Sequence, residues 1–524
     1  MMRLLLSLLL LLSFLQINAQ TYPKVILPGD YPDPSIMRDG KDYYMTHSPF
    51  YYAPGFLIWH SQDLMNWEPL CRVMPQYEGS AMAPDLLKYK DTYYIYYPAA
   101  GTNWVMWAKD IRGPWSLPVD LKVGGIDPGH VVDREGNRYL YVDKGEVIRL
   151  TEDGLATVGE KKKVYDGWKY PDHWDTECMC LESPKLNEHN GYYYLTSAQG
   201  GTAGPATSHM CVAARSKSIF GPWENSPYNP IVHTYSSKER WWSKGHGTLV
   251  DDADGNWYVV MLASRPCEGH CSIGRETFLA KVEWEDGWPV INPGIGHLTE
   301  KTELPIGEYR LEKEVTHADF ITFDQKKIDD RLLSLQRRDE NTYSLIERKG
   351  FLRMYLKKQK LTEKTDAQYF GLRQKDYDFT FSACMEFDAE RENEQAGIVC
   401  YQNHANHLSM RICGGKEKRK LQVIAHITEN DTLLAEEEIN AKGMLELYLK
   451  AAGQRAEFFV RDEEGKVLKL IKDVSLLPYS TEEAGGFVGC TLGVYASSNG
   501  EMSDRFADVA WIRMREYRID AGKK

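Results

Sequence analysis

The stretch Tyr31–His47, YPDPSIMRDGKDYYMTH, sets an aspartate between two prolines and follows it with a glycine turn and a pair of tyrosines. Pro32 and Pro34 restrict the backbone on both sides of Asp33. The turn and the aromatic run after it read as the entry into a β-strand. That second half recurs four times, as YKDTYYIYYPAAG from Tyr89, REGNRYLYVDKG from Arg134, EHNGYYYLTSAQGG from Glu188 and ADGNWYVVMLAS from Ala253. The copies lie roughly 45 to 65 residues apart, the period of propeller blades. A second element, a strand, a turn and a tryptophan, follows three of them: HSQDLMNWEP from His60, AKDIRGPWSLP from Ala108 and ARSKSIFGPWENSP from Ala214. Five copies with short strands and almost no helical periodicity predict an all-β, five-bladed β-propeller.

Just before each aromatic strand lies a segment carrying one ionisable residue. The segments are YPDPSIM, APDLLKY, IDPGHVV, LESPKLN and GHGTLVD, and the residues are Asp33, Asp85, Asp127, Glu182 and His246. In a propeller the innermost strands line the axis, so groups in equivalent phase converge at one mouth of the channel. Asp-Pro and Pro-Asp pairs also start turns, but turn chemistry alone calls for neither a glutamate in one repeat nor a histidine in another. Carboxylates crowded into one cavity cannot titrate independently, and burial with like charge leaves one protonated acid beside one ionised base. That is the equipment of glycoside hydrolysis, in which an acid protonates the leaving oxygen and a base activates water. Neither a serine elbow, a phosphate loop nor a dinucleotide fingerprint competes with it.

Composition agrees with a neutral partner. The 524-residue chain has a formal charge of -12, which argues against nucleic acid. Its start, MMRLLLSLLLLLSFLQINAQ, reads as a secretory signal over residues 1–19, with export to the periplasm or the medium expected and no membrane span. Ten cysteines in a chain of this length do not make a disulfide scaffold. Cys178 and Cys180 look too close for an easy bridge, whereas Cys267 and Cys271 are able to pair. All tryptophans but Trp511 precede residue 300, and the charged stretch HLTEKTELPIGEYRLEKEV, from His297, is the candidate junction between a propeller over 22–300 and a second unit over 316–520.

The ordered motifs YPDPSI, GIDPGH, LESPKL, GHGTLV and GRETFLAKVEWEDGWPV, between Tyr22 and Asn292, resemble glycoside hydrolase family 43. The resemblance implies a five-bladed propeller that inverts anomeric configuration without a covalent intermediate. Asp33 would be the general base, Glu182 the general acid, and Asp127 the carboxylate that orients Glu182 and raises its pKa. His246 resembles the family's axial histidine, which often supports a water or a calcium ion; Ca2+ near His246 is the one cofactor left open, and none is otherwise required. Arg275 resembles the arginine that grips the terminal sugar. Asp85 is expected to hold sugar hydroxyls or blade structure. Trp104, with Trp107, Trp168, Trp174, Trp241 and Trp242, is a candidate to wall the pocket, core packing being the alternative for each. Glu177 is a rival acid, because related sucrose- and fructan-cleaving propellers use a glutamate before a cysteine. Glu182 is preferred for its position ahead of the aromatic strand. Ser183 departs from the family's more usual glycine.

The second region alternates apolar and polar residues in AGIVCYQNHANHLSMRI, LQVIAHI and MLELYLKA, the pattern of an antiparallel β-sandwich. With YSLIERKGFLRMYLK and the segment around FADVAWIRM, it resembles the jelly-roll, concanavalin A-like domain appended to many β-xylosidases and arabinofuranosidases. In relatives this domain can narrow the active-site mouth. The expected function is an exo-acting release of terminal α-L-arabinofuranose or β-D-xylose from a plant cell-wall glycan. The stretches YDGWKYPDHWDTECMC and GGTAGPATSHM depart from the β-xylosidase pattern and tilt the expectation toward arabinofuranose. The rival is a carbohydrate-binding propeller without catalysis.

Overall fold

The structure, a computed structural model, describes residues 25–74, 78–291, 318–415, 418–439 and 443–516. The apolar leader and the stretch from His297 lie outside these residues. Each aromatic repeat is the second strand of an antiparallel sheet, four-stranded in the first three blades and five-stranded in the last two, and the turn ahead of it joins that strand to the innermost one. In the first sheet Ser35–Asp39 pairs with Asp42–Thr46 across a two-residue turn, Gly40-Lys41, in which Gly40 has φ +66°, the left-handed geometry hairpin turns require. Gly55–Ser61 and Glu68–Met74 complete this blade. The later blades have Asp85–Tyr89, Gly129–Val132, Glu182–His189 and Trp242–Asp251 innermost. The ring closes through the first described strand, Val25–Leu27, which pairs with Arg275–Glu285 of the last blade.

The aromatic strands read as near-continuous apolar runs because both faces are covered. In TYYIYY of the second blade, Tyr93, Ile95 and Tyr97 pack toward the first blade, while Tyr94 and Tyr96 pack toward the third. One apolar cluster fills each of the five junctions between blades. Two of the three tryptophans of the second repeated element close turns: the Trp67 indole N–H donates to the Leu64 carbonyl at 2.9 Å and that of Trp115 to Ile111 at 3.1 Å.

Beyond residue 318 two antiparallel sheets, of eight and six strands, enclose a core that includes Phe379, Phe381, Ile398, Met410, Val423 and Leu447. The α-helix Thr481–Ala484 is one turn long. No helix among the described residues is long and apolar enough to cross a membrane. The sandwich is joined to the propeller by a two-stranded sheet, in which Tyr52–Ala53 pairs with Ser334–Leu335. A buried ion pair, Arg373 Nη1 to Asp30 Oδ2 at 3.0 Å, adds to the join.

The cysteines reverse the sequence expectation. Cys178 and Cys180 are joined, whereas Cys267 and Cys271 are free. Two residues apart on a bent chain, with Cys180 at φ +38°, the Cα atoms of Cys178 and Cys180 are 5.3 Å apart, inside the usual 4.4–6.8 Å window for a disulfide. Cys267 instead closes a tight turn by backbone pairing with His270.

Candidate active site

The innermost strands share one backbone feature. Immediately before each strand, or within it, a residue takes positive φ: Asp33 at +56°, Ala83 at +22°, Asp127 at +54°, Ser183 at +53° and His246 at +50°. Four precede proline and the fifth precedes Gly247. Left-handed conformations are costly for residues with a Cβ, and proline disfavours helical geometry in the residue before it. Strain repeated five times around one axis is a mark of a functional mouth.

This alignment corrects the phase read from the sequence. Asp33, Asp127 and His246 share it, but Glu182 lies one residue ahead and Asp85 two residues beyond. Asp85 therefore sits a layer deeper, where its carboxylate accepts from the Lys185 ammonium at 2.8 Å and from the His130 N–H at 2.7 Å. In the same layer Ser35 accepts from the Leu86 N–H and Thr248 donates to the Pro34 carbonyl, each at 2.8 Å. These bonds stitch neighbouring blades together and give Asp85 the blade-structure part of its expected role.

Above that layer the charges separate. Asp33 accepts from the Ser48 hydroxyl at 2.5 Å and from Arg275 Nη1 at 3.1 Å. Burial pushes its carboxyl upward, but Arg275, His246 and the Ser48 hydrogen bond outweigh burial and hold it below the usual carboxylate range. Asp127 accepts from the Ser183 N–H at 3.2 Å; burial, then the Asp33 charge, push it up to about 8. Burial, then Asp127 and Asp33, raise Glu182 well above its ordinary value. His246 Nδ1 lies 3.5 Å from Asp33 and 3.8 Å from Asp127. Burial lowers its pKa to about 4, so the ring is neutral near pH 7.

The opposite ring nitrogen, His246 Nε2, is buried without a partner among the described residues. The charge of Lys185 acts on this imidazole. Calcium takes six to eight oxygen ligands, and no cluster of three or more His, Cys, Asp or Glu side chains suited to a metal occurs among the described residues. One neutral imidazole near an ammonium does not fit a protein cage for Ca2+.

Arg275 is clamped from two sides. Its backbone N–H donates to Asp30 at 3.1 Å, and its Nε donates to the carbonyl of Phe487, from the sandwich, at 3.1 Å. The guanidinium lies 5.0 Å from the Phe487 ring and 5.7 Å from the Phe50 ring. Phe487 went unread in the sequence; its only local signal is an aromatic residue in a glycine-rich turn, GGFVG. His209 was missed too. It is fully buried, and burial, then His246 and Arg275, lower its pKa to about 3, so it is a neutral ring beside them, in space that the missing side chain of Gly245 leaves open.

The tryptophan candidates divide. Trp104 packs against the cluster between the first two blades, its indole N–H on the Ala99 carbonyl at 3.0 Å, and Trp241 is buried in the junction of the last two. For Trp104 this is core packing, the alternative to a place in the pocket wall. Trp168 belongs to the strap from Tyr165 to Cys180, and its backbone exchanges hydrogen bonds with Gln199 at 2.8 and 2.9 Å. Gln199 directly follows Ala198, the register partner of Glu182, so the strap is pinned beside the acid. Trp174 stacks on His233 at 4.5 Å. Glu177 is exposed on the same strap, and its Oε2 accepts the Ala203 N–H at 2.9 Å.

Comparison with known proteins follows this geometry. Residues 22–289 match the profile of glycosyl hydrolases family 43, and residues 321–515 that of the beta xylosidase C-terminal concanavalin A-like domain. A xylosidase/arabinosidase of Butyrivibrio fibrisolvens is 39% identical over 94% of this chain and 98% of its own. A non-reducing end alpha-L-arabinofuranosidase of Bacteroides ovatus is 30% identical over 95% of each. Among solved structures, a xylan beta-1,4-xylosidase from Bacillus halodurans superposes with a TM-score of 0.85 at 28% identity, covering 94% of this chain and all of that one. A five-bladed propeller, two buried carboxyls and a partly buried third about its axis, and a concanavalin A-like partner thus come together in one chain, which belongs to glycosyl hydrolases family 43.

Proposed function

We propose that the chain is an exo-acting, inverting glycosidase that removes a terminal pentose, α-L-arabinofuranose or β-D-xylose, from a plant cell-wall glycan. The observation that carries this is the convergence of three carboxyls at one end of the propeller axis: Ser48 and Arg275 donate to Asp33, while the Ser183 N–H donates to Asp127 beside Glu182. These surroundings lower the pKa of Asp33 and raise that of Glu182. In a single displacement Asp33 takes a proton from water as the oxygen attacks the anomeric carbon. Glu182 gives its proton to the departing glycosidic oxygen. The sugar leaves with inverted configuration, and one proton has entered and one has left the site. Room for that water calls for roughly 6.5 to 9.5 Å between the two carboxyls.

Asp127 serves as the positioning group. It fixes the backbone beside Glu182 through Ser183 and keeps that acid's pKa high through its charge. Arg275 holds Asp33 ionised and turns the rest of its guanidinium to the sugar hydroxyls. Phe487 and Phe50 flank it, which supports a blind-ended pocket suited to chain ends. Relatives named as xylosidase, arabinosidase and arabinofuranosidase support pentose as the sugar. The strap from Tyr165 to Cys180, which departs from the β-xylosidase pattern, favours arabinofuranose. The apolar leader supports export to the periplasm or the medium.

A panel of nitrophenyl glycosides tests the proposal. Colour is expected from the α-L-arabinofuranoside, the β-D-xyloside or both. Release from neither, with binding to arabinan or xylan retained, would overturn it in favour of a binding propeller.

A further inference from the structure

On the six-stranded sheet of the sandwich, alternate residues turn away from the core. Leu408, Met410 and Ile412 point inward, so His407, Ser409 and Arg411 face out, with Gln422 and His426 on the neighbouring strand. An outward face is ordinarily wet, yet His407, Ser409, His426 and Tyr495 are only 5%, 4%, 5% and 1% exposed. They form the floor of a cleft of about 1230 Å³, lined by sandwich residues alone. That exceeds the roughly 300–1,000 Å³ of a pocket for one small ligand, and it suits a segment of polymer.

The chemistry of the lining limits the occupant. Lys360, Arg411 and Lys420 are balanced by Glu392, Glu429 and Asp431. A nucleic acid would call for net positive charge and a helical peptide for an apolar groove; the cleft offers neither. It offers hydrogen-bonding groups already set in place. Arg411 Nε donates to Gln422 Oε1 at 2.9 Å, Gln422 Nε2 donates to Glu436 at 2.6 Å, and His426 Nδ1 lies 2.6 Å from Asp431. The His407 and His426 rings stack at 4.7 Å. Burial, then the neighbouring His426, lower the pKa of His407 to about 3, so its ring is neutral.

We propose that this cleft is a second carbohydrate site, which binds an uncharged stretch of the same glycan and holds the polymer while the propeller trims its ends. The sugar class rests on the function proposed above; the existence of the site does not. The test uses the full chain with free pentose added at saturation, so that the propeller pocket is filled. Retardation is measured in native gels containing arabinan, arabinoxylan or xylan. Wild type is expected to be retarded by at least one of the three. An Arg411→Ala/Gln422→Ala variant and, independently, Ser409→Trp, which fills the floor, are expected to lose retardation while cleaving nitrophenyl pentosides and melting as wild type does. Equal retardation of wild type and both variants, or none of wild type on any polymer, would overturn the site. So would stronger retardation by polygalacturonate than by the neutral polymers. Failure of wild type on all nitrophenyl sugars would sink the catalytic proposal and leave the gel result to be judged separately.

Discussion

Asp30 of the propeller and Arg373 of the sandwich form an ion pair at 3.0 Å with both side chains almost wholly buried, and the other oxygen of Asp30 accepts the backbone N–H of Arg275. One carboxylate therefore joins the two units and fixes the arginine that contacts Asp33. Removing one partner of a buried pair costs about 3–5 kcal/mol, because the remaining charge is left uncompensated. Arg373→Ala is expected to lower the denaturant midpoint and to weaken nitrophenyl hydrolysis, with Asp30→Asn/Arg373→Gln recovering part of both. An unchanged midpoint in the single variant would show that the interface is held elsewhere.

Glu182→Gln removes the proton that a poor leaving group needs. Turnover of an unactivated oligosaccharide is expected to fall by about 10²- to 10⁴-fold, and that of a dinitrophenyl glycoside far less. Equal losses on the two substrates would count against Glu182 as the acid, and a loss in Glu177→Gln equal to that in Glu182→Gln would favour the rival.

The acid limb of kcat/KM against pH should report Asp33 and lie below the ordinary carboxylate range. The alkaline limb should report the coupled Asp127 and Glu182 pair. Asp127 raises Glu182 by its negative charge, so Asp127→Asn is expected to move the alkaline limb toward lower pH by about a unit or more. The stability sign follows from the same shifts. Carboxyls with raised folded pKa stabilise fully below their unfolded pKa and lose that contribution as pH rises through the folded value. Asp127→Asn should therefore stabilise most above pH 8, where wild type carries the buried charge. Thermal melts across pH 5 to 9 that show a constant difference would contradict this.

The repeats made the propeller legible, because hairpin turns and doubly buried tyrosine strands are local features that a single strand carries in its own sequence. Asp33, Asp127 and His246 were legible for the same reason: each sits at the strained residue that opens an innermost strand. Asp85 was misplaced because one-letter patterns do not show a shift of two residues along a strand, and that shift takes a side chain from the mouth to the layer beneath. Phe487 and Arg373 were invisible, since their roles depend on how the second unit docks. Trp104 was a pocket candidate by residue type alone, with core packing as the alternative, and it packs between blades.

Proton NMR of the first turnover offers a check independent of any variant. The released pentose is expected to appear with the anomeric configuration opposite to that of the substrate, before mutarotation mixes the two. Retention would require a nucleophilic carboxylate and would remove Asp33 from its role as base.

Phe487→Ala should raise KM several-fold on small pentosides with little change in kcat, because it removes the ring beside the Arg275 guanidinium but keeps the backbone carbonyl that holds Nε. A fall in kcat with KM unchanged would place the effect in the chemical step instead.

The closure of the ring by Val25–Leu27 also sets an order in time. Its partner strand, which begins at Arg275, is made some 250 residues later. At about 5–20 residues per second, the first strand waits roughly 10 to 50 seconds for its hydrogen bonds, and Asp30 waits longer for Arg373. Until then no arginine stands beside Asp33. Catalytic competence is therefore a late event in the chain's emergence, and a chain cut short before Arg275 would carry the acids without the cation that separates their charges.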